Sequence, residues 1–308
     1  MCASHDPLSA AQQSFQDELV QAGLLVRMGV AGLYGRSGAF ERVIESFERH
    51  VTRRACGATA EVFRFPPLIS RENYLKTGHI HNFPDLMGSI HTFKGSDRDH
   101  LAMLQTKDQA GDWSKHLAPA DVMLVPAICY PLYPTASGVL SAEGRTVDLQ
   151  GYAFRHEPSI DPARMQSFRM REFVRLGSPA QALAHRDGWL ERSEQILREV
   201  GLDAKPVIAN DPFFGRGGRM MAATQVEQNL KYELVVAVAS AEKPTAVASC
   251  NYHLDHMGHT FDIKTPDGQY AHTACVGFGL ERVALALFKT HGLDPAQWPA
   301  SVQRALNP

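Results

Sequence analysis

Apolar and polar positions repeat along the chain with two different periods, and these periods predict its secondary structure. Residues 40–56 carry apolar side chains at helical spacing, and residues 9–30 do the same behind an N-cap at Ser9. We expect these two helices to form an N-terminal unit, residues 1–57, that packs on a larger domain over residues 58–308.

The pattern changes to alternating, strand-like segments after about residue 60. The predicted strands are residues 121–133, 146–157, 167–176, 231–240 and 245–254. Ser178 and Pro179 begin a predicted helix that reaches about residue 200, another long helix begins near residue 280, and Asp267-Gly268 predicts a hairpin turn. This order of elements is typical of an α+β domain in which helices flank a mainly antiparallel sheet.

Composition indicates one large globular unit of 308 residues, with 44% hydrophobic and 21% charged residues. No apolar run of about 18 residues predicts a membrane span, and the N-terminus does not resemble a secretory signal. The cysteines are too widely spaced for a disulfide scaffold and fit a reducing cytoplasm: Cys2, Cys56, Cys129, Cys250 and Cys275. The net charge of −2, without a basic run, argues against a tRNA partner.

Two segments of the second half carry the candidate chemistry. Arg155 and Glu157 lie on one predicted strand, Arg169 and Phe173 lie on the next, and residues 277–282 form a glycine-rich strand-to-helix turn that ends in arginine. Arginine forks hold phosphate oxygens, an aromatic face stacks on adenine, and glycines permit close backbone approach. The set predicts a site for a bent nucleoside triphosphate. Surface ion pairing of the arginines and a core position for Phe173 are the alternatives.

These segments resemble motifs 2 and 3 of the class II aminoacyl-tRNA synthetases, and residues 61–67 are the candidate for motif 1. The resemblance runs from about residue 40 to the C-terminus and is to seryl-tRNA synthetase in particular. It implies a homodimer formed through motif 1. The chain has no segment that matches the long coiled-coil arm with which those enzymes hold tRNA.

The resemblance also implies roles for individual residues in activating an amino acid with ATP. Arg155 would contact the α-phosphate and the amino-acid carboxylate, Arg282 the γ-phosphate, and Glu157 the adenine amino group, with Phe173 stacked on adenine. The other residues implied on the nucleotide side are Arg164, Met165, Arg169, Lys231, Glu233, Ala246, Val247, Ala248 and Ser249. Ala246 stands where those enzymes have a metal-binding glutamate, so magnesium would be held by ATP phosphates, Glu233 and water.

A zinc site is implied by three residues that are far apart in the sequence. Cys129, Glu172 and Cys275 match the zinc ligands of methanogen-type seryl-tRNA synthetases. Three protein ligands leave one tetrahedral position open, and it would take the α-amino group of the substrate. Without the resemblance, two buried free cysteines that behave as small hydrophobes are the simpler interpretation.

A methanogen-type core without a tRNA arm resembles the amino acid:[carrier protein] ligases. These enzymes activate a small amino acid, here glycine or alanine, and pass it to the phosphopantetheine thiol of a carrier protein. The alternatives are a seryl-type tRNA ligase, a non-catalytic paralogue that binds amino acid or nucleotide, and a zinc-stabilised binding module.

Two further sequence patterns are candidates for ligand-binding residues. His253, His256 and His259 recur at helical spacing, but they fall on a predicted strand and its turn, and we therefore discount a metal site there. The glycine-rich segment 211–219 suggests a bent or mobile stretch near the pocket, in which Arg216 and Arg219 meet a phosphate or face solvent.

Overall fold

The computed structural model describes residues 6–55 and 60–307. Its helices are α1 (Pro7–Gln21), α2 (Gly38–Ala55), α3 (Arg71–Lys76), α4 (His79–Asn82), α5 (Asp97–Asp108), α6 (Pro179–Glu199), α7 (Gly215–Glu227), α8 (His256–Phe261), α9 (Leu280–His291) and α10 (Ala300–Leu306). Short 3-10 helices occupy Pro84–Leu86, Trp113–His116, Tyr133–Ala136 and Pro295–Gln297. No helix in this part of the chain is long and apolar enough to cross a membrane.

The strands form one large sheet and three small ones. They are β1 (Leu25–Arg27), β2 (Tyr34–Arg36), β3 (Glu61–Phe63), β4 (Leu68–Ser70), β5 (Ser89–Phe93), β6 (Leu117–Leu124), β7 (Gly138–Val139), β8 (Arg145–Phe154), β9 (Ser167–Gly177), β10 (Lys205–Ile208), β11 (Lys231–Val236), β12 (Thr245–Tyr252), β13 (Ile263–Lys264) and β14 (His272–Gly279). The large sheet has the order β10-β11-β12-β14-β9-β8-β3. All its neighbours are antiparallel except β3 and β8, so the expected α+β class is confirmed with one parallel pair at the edge.

Helix α2 shares its core with the end of the chain. The ring centroids of Phe40 and Phe288 are 5.4 Å apart, and those of Phe47 and Phe278 are 5.8 Å apart. Each side chain is almost fully buried, and such burial contributes about 1.5–3 kcal/mol per residue. The boundary near residue 57 stays a prediction, because residues 56–59, with Cys56, lie outside the described residues, as does Cys2.

Helix α6 begins where the sequence predicts. The Ser178 hydroxyl accepts from the Gln181 backbone N–H, the Gln181 side chain accepts from the Ser178 N–H, and Pro179 occupies the first helical position. The turn at Gly268 is also confirmed: its φ is +83°, and the Thr265 N–H donates to the Gln269 carbonyl at 2.9 Å.

Several predicted elements are wrong in extent, among them the strands predicted over 146–157 and 231–240, which end at Phe154 and Val236. The first helix begins at Pro7 behind an N-cap at Asp6, not at Ser9. It ends at Gln21 rather than near residue 30, because Gly23 adopts φ +68° and the chain turns into the β1–β2 hairpin. The predicted strand 121–133 ends at Leu124, and residues beyond it form a turn that leads to a 3-10 helix.

Candidate active site

A cavity of about 570 Å³ lies over one face of the large sheet. Phe168, Met170 and Glu172 of β9 line it together, because alternate residues of a strand point to the same face. Across the sheet, Glu172 is paired with Gly277 of β14, and Gly277 with Ser249 of β12. The strand register thus brings residues from distant parts of the sequence to one wall.

Gly277 keeps this wall open between two long side chains. A Cβ atom at this position would lie 3.0 Å from Met170 Cε and 3.2 Å from Glu172 Cγ, closer than nearly all real Cβ contacts. Any larger residue at position 277 would therefore have to displace the Met170 or Glu172 side chain by a few tenths of an ångström.

Two arginines face the cavity without a carboxylate partner among the described residues. Arg155 Nε donates to the Pro126 carbonyl at 3.0 Å. Arg282 Nε donates to the Ala163 carbonyl at 2.9 Å, and its Nη1 donates to the Ala246 carbonyl at 3.2 Å. Burial, with the like charge of Arg155, lowers the pKa of Arg282 below its ordinary value. Guanidinium groups that are held by neutral carbonyls leave positive charge for an anionic ligand.

Phe168 lies between the two arginines and was missed by the sequence analysis. Its ring centroid is 5.5 Å from the Arg155 guanidinium carbon and 6.0 Å from that of Arg282. It is the aromatic side chain of β9 that lines the cavity.

The prediction that Phe173 stacks on adenine is corrected by its position. Phe173 is buried, and its ring stacks on Trp189 of α6 with centroids 4.3 Å apart. The physical reason is strand parity: Glu172 and Phe173 are neighbours on β9 and cannot both face the cavity.

Arg169 shares the parity of Phe173 and is likewise outside the cavity. Its backbone N–H and Nε donate to the Glu281 carboxylate at 2.7 and 2.9 Å, and its Nη1 donates to Glu41 at 2.6 Å. This partly buried ion-pair network joins β9 to α2 and α9, so a structural contact replaces the predicted nucleotide contact.

The loop after β8 does not bring its predicted residues to the cavity wall. Arg164 and Glu157 form an ion pair with a separation of 3.6 Å, and Met165 is buried in the core. These three residues are not among those that line the cavity.

Most of the other predicted nucleotide-side residues do line it: Lys231, Glu233, Ala246, Val247, Ala248 and Ser249. Lys231 Nζ donates to Asp211 Oδ1 at 2.6 Å and lies 3.0 Å from Glu233 Oε1. Burial opposes its charge, but the two carboxylates outweigh that effect and raise the pKa of Lys231. The cavity therefore keeps a third cation near the arginines.

Cys129, Glu172 and Cys275 all line the cavity and interact with one another. A hydrogen bond between the two thiols raises the pKa of Cys129 and lowers that of Cys275. Burial raises the pKa of Glu172 to about 8, and its Oε2 atom is buried without a hydrogen-bond partner in the described residues. Within residues 6–55 and 60–307, however, no group of three or more His, Cys, Asp or Glu side chains converges closely enough to form a metal site.

Cys275 has two polar neighbours on the cavity wall. Asn251 Nδ2 donates to Cys275 Sγ at 3.4 Å, and His253 Nε2 lies 3.6 Å from the same sulfur. His253 Nδ1 is 2.9 Å from Thr273 Oγ1. His253 follows β12 and belongs to the cavity, whereas His259, on α8, forms an ion pair with Asp255 at 3.3 Å.

The glycine-rich segment 211–219 turns into a helix: residues 211–214 are irregular, Gly215 adopts φ +74°, and α7 begins at Gly215. Arg216 and Arg219 are exposed and do not line the cavity, but Asp211 and Phe213 do. Of the two alternatives for these arginines, the positions in the structure favour the solvent-facing one.

Solved structures share this fold. A crystal structure of M. kandleri seryl-tRNA synthetase with A. aeolicus tRNASec superposes with a TM-score of 0.80 at 22% identity, covering 95% of this chain and 60% of that chain. Seryl-tRNA synthetase of Pyrococcus horikoshii complexed with ATP gives a TM-score of 0.69 at 14% identity, covering 96% and 62%. These structural similarities confirm the class II seryl-tRNA synthetase fold. The present chain spans about three fifths of the length of each of those chains.

Sequence comparison identifies the family more narrowly than the fold does, although no family model matches the chain. Type-2 serine–tRNA ligase of Methanopyrus kandleri is 25% identical over 260 residues, covering 77% of this chain and 49% of the relative. Amino acid–[acyl-carrier-protein] ligase 1 of Bradyrhizobium diazoefficiens is 42% identical over 281 residues, covering 91% and 86%. Ligase 2 of that organism is 44% identical over 292 residues, covering 94% and 87%. Since this identity extends over nearly the whole of both chains, the protein belongs to the family of amino acid–[acyl-carrier-protein] ligases.

Proposed function

We propose that the protein activates a small amino acid with ATP and transfers it to the phosphopantetheine thiol of a carrier protein. In the first step a carboxylate oxygen attacks the α-phosphorus of ATP, the bond to the β-phosphate oxygen breaks, and pyrophosphate leaves. In the second step the thiol sulfur forms a bond to the acyl carbon, the acyl C–O bond breaks, AMP leaves, and the thiol proton passes to solvent. The family of the chain supports this reaction sequence.

The observation that carries the proposal is the pair of cavity-facing arginines whose hydrogen bonds within residues 6–55 and 60–307 go to backbone carbonyls, with no carboxylate partner there. Arg155 would bring the amino-acid carboxylate to the α-phosphate, and Arg282 would hold the far phosphates, because both steps involve anionic groups that fixed positive charge stabilises. Phe168 replaces Phe173 as the side chain that we propose stacks on adenine. Glu233 is the proposed protein contact for magnesium.

We propose that Cys129, Glu172 and Cys275 hold zinc once their side chains converge on the ion. The donor set suits zinc, and the buried Glu172 Oε2 atom has no hydrogen-bond partner in the described residues. Zinc bound there would offer a fourth position to a neutral α-amine. Metal analysis tests this: the wild type should hold about one zinc ion per chain, as three protein ligands and an open position imply. Cys275→Ser should lose it. Cys250→Ser, a buried cysteine outside the set, should keep it.

A homodimer is also part of the proposal. β3 is an edge strand of the large sheet, and Val62 on it is 65% exposed. An exposed apolar side chain on an edge strand suits an interface with a second copy. Sedimentation velocity should give a dimer that Val62→Asp weakens, whereas a monomeric wild type would contradict this part.

The test of the function is amino-acid-dependent ATP–pyrophosphate exchange, run with each amino acid in turn. We expect exchange with glycine or alanine, and its loss in Arg155→Ala. Arg198→Ala is the matched control, because Arg198 is an exposed residue of α6 that pairs with Glu194. Exchange with serine, together with salt-sensitive tRNA binding, would favour a tRNA ligase instead. No exchange with any amino acid would overturn the proposal.

A further inference from the structure

His253 lines the cavity beside Cys275, and the proposed function gives it no task. It follows the last residue of β12 and extends the pairing with β14, because its backbone N–H donates to the Thr273 carbonyl at 2.8 Å. Asn251 is paired with Cys275 on the same two strands. Since residues two apart on a strand point to the same face, Asn251 and His253 share one face of the sheet with Cys275 and Thr273.

The imidazole of His253 has a polar neighbour at each of its nitrogens. Nδ1 lies 2.9 Å from Thr273 Oγ1, and Nε2 lies 3.6 Å from Cys275 Sγ. Thr273 is fully buried, so its hydroxyl finds its hydrogen bonds within the protein. A neutral imidazole has one donor and one acceptor. When the Thr273 hydroxyl donates to Nδ1, the ring N–H is on Nε2 and points at the sulfur.

The surroundings of Cys275 suit a thiolate that binds a metal. A metal-bound sulfur keeps lone pairs that accept hydrogen bonds, and Asn251 Nδ2 already donates to Cys275 Sγ at 3.4 Å. The His253 Nε2–H would be a second nitrogen donor to the same atom. Hydrogen bonds to an ionised acceptor are about twice as strong as those between neutral groups. Residues that contact a metal ligand in this way fix its orientation and tune its affinity.

A direct bond from His253 to zinc is the competing arrangement. It would make four protein ligands and fill the tetrahedral position that the proposed function reserves for the substrate amine. It would also require Nε2 without a hydrogen, so that the Thr273 hydroxyl would have to accept from Nδ1–H. The two arrangements therefore differ in whether a nitrogen of the protein is bound to the ion, and this difference can be measured.

We propose that His253 is a positioning residue for zinc, which donates its Nε2–H to Cys275 Sγ and is itself oriented by the Thr273 hydroxyl. The inference rests on the zinc site of the proposed function, formed by Cys129, Glu172 and Cys275. It adds to that site a residue that holds one ligand without touching the ion. The zinc affinity of the protein should then depend on His253, although His253 is outside the ligand set.

The test measures the zinc affinity of the full-length protein by competition with a chromophoric chelator. In His253→Phe we expect the Kd for zinc to rise about tenfold, which is the scale of effect when a contact to a metal ligand is lost. His253→Gln keeps a side-chain N–H donor and should recover part of the affinity. His259→Phe is the matched control with an unchanged Kd, because His259 is exposed on α8 and pairs with Asp255.

A double variant protects the test against a loss of fold. His253→Phe alone takes the imidazole away from the buried Thr273 hydroxyl, whereas His253→Phe combined with Thr273→Val removes both partners. Replacement of both partners by apolar groups of similar shape is nearly neutral for stability. Urea denaturation of the zinc-free double variant should therefore resemble that of the wild type, while its Kd for zinc should still rise about tenfold.

Cobalt(II) in place of zinc distinguishes the positioning role from a direct bond. In His253→Phe the sulfur-to-cobalt charge-transfer band should move to longer wavelength, because the sulfur loses an N–H partner, while the d–d bands should stay as in the wild type. Altered d–d bands would show that His253 is itself a ligand and would overturn the inference. Wild-type zinc affinity in both His253→Phe and the double variant would overturn it alone. A wild type that binds no zinc would instead refute the zinc site of the proposed function, and the inference with it.

Discussion

Lys231 Nζ donates to Asp211 Oδ1 at 2.6 Å, and this contact joins the cavity wall to the segment before α7. Gln225 of α7 completes the link, because its Oε1 accepts from the Asp211 N–H at 2.7 Å and its Nε2 donates to Asp211 Oδ2 at 2.9 Å. A residue of the proposed nucleotide site is therefore fixed by a helix at the cavity mouth.

Replacing Asp211 with asparagine should weaken both stability and ATP use. The change leaves Lys231 with Glu233 as its remaining carboxylate and removes a charged hydrogen bond that is worth on the order of 2 kcal/mol. Urea denaturation should show this loss, and the KM for ATP in the exchange assay should rise. Asp203→Asn is the control, because Asp203 pairs with Lys205 on the exposed surface. Wild-type values for both quantities in Asp211→Asn would contradict the linkage.

Substitutions of Phe168 and Phe173 should have different effects, the first mainly on nucleotide binding and the second mainly on stability. Phe173→Ala removes a buried ring that stacks on Trp189 and should lower the free energy of unfolding by about 3–5 kcal/mol. Phe168→Leu should mainly raise the KM for ATP, because its ring lies at the cavity beside the two arginines. A larger effect on KM from a folded Phe173 variant than from Phe168→Leu would restore the original assignment.

The same pair shows what sequence patterns can and cannot supply. The strands β8 and β9 were predictable because their apolar pattern and motif residues fall on regular sheet elements. The assignment of Phe173 to adenine stacking was wrong because it followed motif spacing alone. Adjacent residues on a strand point to opposite faces of the sheet, so Glu172 and Phe173 cannot both face the cavity. The helix predicted to residue 30 failed for a local reason, since the positive φ of Gly23 is not visible in apolar periodicity. His79 carried no sequence signal, because apolar periodicity does not show which buried ring nitrogens are left without a hydrogen-bond partner among the described residues.

Gln16 should control the loop that follows β8. It is buried, and its Nε2 donates to the Ile160 carbonyl at 2.9 Å, while Gln12 Nε2 donates to Asp161 Oδ2 at 3.1 Å. The same loop supplies the Ala163 carbonyl that holds Arg282. Gln16→Leu should therefore raise the KM for ATP with little change in kcat, and it should cost about 1–3 kcal/mol of stability because the carbonyl loses its partner.

Exchange kinetics at varied ATP concentration check this expectation. Gln195→Leu, an exposed glutamine on α6, is the control and should keep wild-type kinetics. A fall in kcat at unchanged KM in Gln16→Leu would argue against a positioning role for the loop contact.

His79 should make the protein less stable in mild acid. Burial holds its pKa at about 4 in the folded state, below the ordinary value of about 6.5 in the unfolded chain. The unfolded state therefore binds the proton more readily between these values. The contribution of neutral His79 to the free energy of unfolding is complete above about pH 6.5 and is lost as the pH falls toward 4, by about 3 kcal/mol in total.

Urea denaturation from pH 7 to pH 4.5 should show a flatter decline in the free energy of unfolding for His79→Phe than for the wild type. Part of the decline should remain, because burial also lowers the pKa of His50. His91→Phe, at an exposed position of β5, should follow the wild type, and an equally steep decline in His79→Phe would show that His79 is already charged or solvated in the folded protein.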